Sequence, residues 1–544
     1  MVRFEAALDA RGPVSILVVA SALGAWAGIR AERAATPHEE SPAAVEPPVP
    51  APADLVAEAV VASPDATWRK IQLAVGGPLV LAPPTFREIL GATTGVTALR
   101  TLVDGSLPAY AVLGSGGRWV VAARVVSAQR ARSTLESTQA PTLHFDSRAG
   151  SIDVLAGTGV WVGVAGTFVL VGSDRDAVVS LGPYAYRTLP TRPASANDVA
   201  ATASHAALAG PIRAMLERKW NAVHAWLFDQ QEKMRSAKQG HAPEVGDPTP
   251  VLAELDSIER TYADRLVSMD RADLALDLDD DGARARLTLV PPPAGEARKW
   301  VDDLEGSSAA PLLAARAGSL ATVFWRNDPS DRLRTAKETS ETLARVLGDR
   351  LPAADETKIG AALERIATAR GGWALASVNG GAETGALVRF ATNDAPAIDA
   401  SLASLCDLAR QPTWAKWESD AFGLTKVDRV GSRATFSAEQ GTLQADWESR
   451  PGQLDLAVGM DAQAVLSSGS GQVTLASDAK VAAWLSTLHA AVVFVVVGRP
   501  LLLAASPRSD PAMLGLLHGN HVAVLDARVP GVVLRELGGY VRSW

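Results

Sequence analysis

One cysteine in 544 residues, Cys406, removes any intrachain disulfide and any all-cysteine metal site. It sits in the helical apolar pattern Ile398, Leu402, Leu405, Cys406, Leu408, where a small buried hydrophobe explains it without a reactive thiol. Basic charge is also short, since 52 Lys and Arg face 60 Asp and Glu for a net charge of −8. A nucleic-acid binder needs a basic face to displace phosphate counterions, so that class is excluded as a partner. Aromatic residues are only 5% of the chain and histidines number 8.

Catalytic signatures are missing as well. There is no phosphate-loop lysine motif, no Gly-x-Ser-x-Gly elbow and no His-Glu-x-x-His. Gly157-Thr158-Gly159 with Gly163 has the glycines of a dinucleotide loop, but strand-like residues follow where a helix N-terminus is required. Ser115 and Ser470 lie in glycine turns without a visible base. The sequence therefore names no cofactor and no catalytic residue, and it favours a non-enzyme.

What is present begins with residues 12–29, which carry no charge and are long enough to span a bilayer. Arg3 and Arg11 before the segment balance Arg30 and Arg33 after it, so the charge rule for orientation is nearly silent. Ala25-Trp26-Ala27 offers a signal-peptidase site, leaving a membrane anchor and a cleaved signal peptide both open over residues 1–33. Residues 34–53 follow as a Pro/Ala-rich tether that reads as extended. The expected place is the bacterial cell envelope, anchored in the inner membrane and facing the periplasm, or free in the periplasm after cleavage.

The body then divides into an α+β repeat over 54–210, a helical hairpin over 211–270, a β-hairpin and connecting helix over 271–311, and a second α+β repeat over 312–544. The duplication rests on runs that recur in order. Ala109 to Leu113 and Trp119 to Ala123, joined by glycines, answer Trp373 to Ala376 and Ala386 to Phe390. Val160 to Val164 with Phe168 to Ser173 reads as a buried hairpin, matched by Val493 to Val497 with Leu501 to Ser506. Asn197 to Ala201 is matched with Asn520 to Val524. The expected fold class is two largely antiparallel sheets, each with helices on one face.

In the helical segment, Pro211 stands where proline favours a helix start, and Ile212, Met215, Leu216, Trp220, Val223, Trp226 and Leu227 follow at helical spacing. Such stripes ordinarily pack on each other. As a partner-binding arm, the segment would use Trp220 and Trp226 as anchors.

Asp277-Leu278-Asp279-Asp280-Asp281-Gly282 opens like a calcium loop, with Asp277, Asp279 and Asp281 as the candidate metal ligands. The closing glutamate is replaced by Thr288, and the flanking alternation of leucines explains the stretch as a hairpin with an Asp-Gly turn. His518 and His521, with Asp526 downstream, form the closest histidine pair, but Gly519 and the following valines indicate a turn entering a strand rather than a zinc site.

Leu320 to Trp325, Phe168 to Ser173 with Leu501 to Ser506, and Asp273 to Leu289 together resemble exported bacterial envelope proteins that carry a duplicated α+β domain of unknown function. The resemblance implies an envelope location and brings no activity or site residues. The function expected is a non-enzymatic binding or scaffolding module with an envelope protein as partner. A carrier of an apolar or lipid-like ligand, and a hydrolase without a motif, stand as alternatives.

Overall fold

A computed structural model describes residues 46–540 apart from short internal segments, the longest being 238–255 and 499–509. Two compact units divide the chain: Met1–Leu216, Leu266–Ala297 and Asp526–Trp544 form the first, Glu217–Arg265 and Arg298–Leu525 the second. Residues 12–29 and Leu501 to Ser506 lie outside the described residues. Among the described residues, no helix is long and apolar enough to cross a membrane.

Unit 1 is built on ten antiparallel strands: β1 (Leu55–Val61), β2 (Ala109–Gly114), β3 (Trp119–Arg124), β4 (His144–Ala149), β5 (Ile152–Gly157), β6 (Val160–Ala165), β7 (Phe168–Gly172), β8 (Val199–Ser204), β9 (Arg271–Asp279) and β10 (Gly282–Val290). Their pairings give the order β4-β5-β6-β7-β3-β2-β1-β8-β9-β10. Every residue of β2 is buried. A strand buried on both sides reads as a continuous apolar run, and Ala109 to Leu113 is one.

That burial corrects the expectation of helices on one face. On one side α1 (Pro64–Val75), α2 (Phe86–Thr94) and α3 (Ala128–Leu135) pack with Val121, Ala123, Val169 and Val171. On the other, α4 (Arg175–Ser180) and the turn at Tyr184–Thr188 cover Val120, Ala122 and Leu170. Odd and even positions of β3 and β7 are both apolar, so each face needs its own cover. The end of the tether is held too. Thr188 Oγ1 accepts from Val49 N–H at 2.9 Å, and Glu46 receives the hydroxyls of Ser151 and Tyr186 at 2.8 and 3.0 Å.

Unit 2 carries β11 (Ala321–Arg326), α6 (Pro329–Leu347), α7 (Ala353–Ala369), β12 (Arg370–Asn379), β13 (Gly385–Thr392), α8 (Ala395–Ala409), β14 (Leu424–Val430), β15 (Arg433–Ala438), β16 (Gly441–Arg450), β17 (Gln453–Gly459), α9 (Ala462–Ser468), α10 (Ala479–Ser486), β18 (Ala491–Gly498), β19 (Ala512–Gly519) and the first four residues of β20 (Val522–Pro530), whose remainder is counted with unit 1. The order is β14-β15-β16-β17-β13-β12-β11-β18-β19-β20. Here too helices cover both faces: α8 meets Phe390 and Leu454, while α9 meets Leu387 and Ala457 from the opposite side.

Val493 to Val497 belongs to β18, which pairs with β11 and β19, while its expected hairpin partner Leu501 to Ser506 lies outside the described residues. An apolar run reports burial and leaves the neighbouring strand unspecified.

Candidate functional site

A concavity floored by apolar side chains belongs wholly to unit 1, and its origin is legible in the alternation of its strands. Ala57 and Ala59 of β1, Ala111 of β2, Ala201 and Ala203 of β8 and Ala272 of β9 all point to one side of the sheet, as the register pairs Ala59↔Ala201 and Ala203↔Ala272 require. Alanine is a poor strand former and fills little space. Six of them on neighbouring strands leave a hollow of about 350 Å³ between the sheet and whatever lies above it. That volume is within the range of small-ligand sites.

The cover comes from the chain that leaves β8 and from the chain that returns to β9. Leu208, Pro211, Ile212, Met215 and Leu216 descend on the hollow from one strand of this cover, and Leu266 from the other. The helical path starts at His205, passes through a wide π turn at Leu208–Ile212 that contains Pro211, and continues as Arg213–Ala237. Pro211 is thus inside the helix rather than at its first residue, a correction to the sequence reading. The π turn absorbs the proline, and such turns recur at functional sites. His205 Nδ1 meets the carbonyl of the buried Met269 at 2.9 Å, which ties the outgoing and returning ends together.

Leu113, Val199, Leu274, Leu276 and Leu287 complete the walls, so the space offers dispersion contacts and no charged side chain pointing into it by register. Glu58 and Thr202 belong to the other face: Glu58 stands opposite Thr202, and Thr202 opposite Asp273, in a polar row across β1, β8 and β9.

That row lines a separate depression of about 480 Å³. Glu58 takes the Tyr184 hydroxyl at 2.7 Å and a bidentate contact from Arg192, while Asp273 takes Thr202 Oγ1 and Arg271 Nε, each at 2.9 Å. Burial, and next the Glu58 carboxylate, push the Tyr184 phenol up to about 12. Two carboxylates and two guanidiniums cancel in charge and satisfy one another. A phenol held protonated is the reverse of an activated nucleophile.

The carboxylates suggested for calcium have other occupations. Asp277 accepts from Asn197 Nδ2 at 2.7 Å, Asp279 Oδ1 accepts from the backbone N–H of Asp281 at 2.9 Å, and Asp281 lies 3.6 Å from Arg528. Gly282, at φ 148°, is required by the turn, because a Cβ there would lie 2.1 Å from the Val529 carbonyl oxygen. Among the described residues, no three His, Cys, Asp or Glu side chains gather as a metal group.

The histidine pair likewise separates. Asn520 and His521 both have positive φ and form the two-residue turn between β19 and β20, and His521 Nδ1 lies 2.9 Å from Asp302 Oδ1. Asp526, fully buried, receives Arg284 and Arg286 at 2.9 and 2.8 Å. Cys406 is half-buried in α8, and burial raises its thiol pKa. In unit 2, Trp220 donates its indole N–H to Asp256 at 2.7 Å. The side chain of Trp226 lies outside the described residues.

No family model matches the chain, and no curated protein matches it. Two solved structures are similar to part of it, titled crystal forms III and IV of TP0453. Both are 8% identical, they cover 43% and 44% of this chain and 98% of their own, and their TM-scores are 0.21 and 0.20. Scores this low align no common fold.

Proposed function

We propose that this protein is a binding module that holds an apolar ligand in unit 1, under the root of the helical arm. The alanine floor carries the reading: six small side chains on four strands maintain a hollow that mostly aliphatic residues line. Filling it would remove apolar surface from water at about 25 cal/mol per Å². The ligand is a hydrocarbon-like molecule or the chain of a lipid, taken between the sheet and the root of the arm.

The wider setting belongs to the same proposal. The two units are copies of one ancestral domain, a reading supported by the strand order of unit 1 returning in unit 2 with each strand ten places later. The chain acts in the bacterial envelope, with residues 12–29 as anchor or export signal. A protein-docking role for Trp220 and Trp226 has less support, because Trp220 already spends its N–H on Asp256. A hydrolase has less still, because the polar row around Glu58 is internally bonded.

The test is native mass spectrometry of the full chain extracted gently from membranes, with a fluorescent fatty acid as competing probe. One probe per chain, displaced by the native ligand and lost in Ala201→Phe, is the expected result. Equal probe binding by wild type and Ala201→Phe would sink the proposal.

A further inference from the structure

The depression on the polar face of unit 1 has, at about 480 Å³, room for a ligand of its own. Along β1, β8 and β9 the alanines floor the hollow, and the positions between them point the other way, so the sheet itself separates the two spaces. Glu58 stands opposite Thr202, Thr202 opposite Asp273, and Ser204 opposite Arg271. The β1–β8 ladder stops at Ala57↔Ala203, and beyond it the Ser204 hydroxyl meets the carbonyls of Leu55 and Val56 at 3.3 and 2.8 Å. Tyr184 and Arg192 complete the lining.

The two ion pairs make this lining neutral, yet each leaves hydrogen-bonding capacity unspent. Asp273 Oδ1 accepts from Thr202 and Oδ2 from Arg271 Nε, so either oxygen keeps a lone pair. Arg271 gives only that Nε–H, and among the described residues its two Nη groups meet no acceptor. Arg192 donates through both Nη groups, to Glu58 and, at 2.5 Å, to the Tyr184 hydroxyl, and keeps its Nε–H. Glu58 Oε2 is filled by Tyr184 and Arg192, whereas Oε1 accepts from Arg192 alone. The Glu58 side chain is 10% exposed, and Leu55 lies half-buried against the apolar cluster that contains Tyr184.

This combination selects among ligand classes. A singly charged ligand drawn to one guanidinium meets the neighbouring carboxylate as well, so the two terms oppose each other. An apolar ligand would take the polar atoms out of water without pairing them. A sugar hydroxyl both donates and accepts, so adjacent hydroxyls on one ring can serve a carboxylate and a guanidinium side by side. We infer that the depression binds a neutral sugar, with Asp273 and Glu58 accepting from its hydroxyls, Arg271 and Arg192 donating to them, and Leu55 against its C–H face. Hydrogen bonds to ionised groups are the stronger kind, and the ion pairs hold these side chains in place before the sugar arrives.

The experiment is saturation-transfer NMR on the full chain, with glucose, galactose, mannose and N-acetylglucosamine as probes at millimolar concentration, and glucuronate and glucosamine as charged counterparts of the same ring. Saturable transfer to at least one neutral sugar is expected, with affinity lowered about tenfold in Arg271→Met and in Asp273→Asn, since each substitution removes a charge-assisted bond. Both side chains are partly exposed, so the variants should fold, and an unchanged melting curve verifies it. Absence of transfer to every neutral sugar overturns the proposal, as does wild-type affinity in both folded variants. Tighter binding of glucuronate or glucosamine than of any neutral sugar overturns it too.

Discussion

Replacing Ala201 by leucine asks whether the hollow in unit 1 exists in solution. Ala201 is central on β8, opposite Ala59 on one side and Leu274 on the other, and it faces the hollow. Leucine adds three carbons, worth about 0.8 kcal/mol each when removed from water, so about 2 kcal/mol is available if they enter empty space. Some of the gain is lost to side-chain ordering, about 0.5–1 kcal/mol for leucine. The net is a stabilisation of about 1 kcal/mol or slightly more, which moves the melting temperature up by about 2–4 °C for a unit of this size. Calorimetry and guanidinium unfolding of the ligand-free chain read it directly. If the arm instead collapses onto the sheet, the same leucine overpacks and destabilises by about 1–3 kcal/mol. A fall in stability of that size would refute the argument from the alanine floor.

Other consequences are more local. Arg389 and Asp455 form a buried bidentate pair in unit 2, at 2.9 and 3.2 Å, so Arg389→Met should cost about 3 kcal/mol by leaving the buried carboxylate with only Gln453 Nε2 at 2.8 Å and Arg450 at 3.9 Å, whereas Arg389→Met with Asp455→Leu should recover most of it. Denaturant midpoints of the two variants check this, and equal losses would show that the pair contributes little beyond packing. Tyr184 should titrate last among the tyrosines it can be compared with, near pH 12, and Tyr184→Phe should delete that step from the ultraviolet titration. Because its folded pKa lies above the unfolded value near 10, the Tyr184 contribution is complete below pH 10 and is lost as the pH climbs from 10 towards 12. A wild-type alkaline transition unchanged by Tyr184→Phe would contradict the sign.

Local chemistry was readable where residues near in sequence decide the structure. Asp281-Gly282 between alternating leucines gave the hairpin of β9 and β10 because the turn and both strands lie within one short stretch. The helix at Ala395–Ala409 was legible in the spacing of Ile398, Leu402, Leu405, Cys406 and Leu408. Pairing across long separations was not readable in the same way. Val492 to Val497 is apolar enough for any buried position, and only the register with Ala321 to Trp325 and Met513 to Leu517 assigns it to the middle of a sheet. The helices on both faces were missed for a related reason. A continuous apolar run such as Ala109 to Leu113 reports two buried faces, but it does not say what covers them.

The hollow was hidden because it is made of residues that look ordinary one at a time. Ala57, Ala111, Ala201 and Ala272 are unremarkable until four strands bring them to one face. The available signal was the length of the connection between the strands that bear it. Residues 205–270 separate β8 from β9, while residues 499–511 suffice between β18 and β19. If the units descend from one domain, the long arm is an addition to the first copy, and its root is what roofs the alanine floor. The alanines then make sense as an adaptation to that roof: larger side chains would pack the sheet face on their own and leave the arm nothing to enclose.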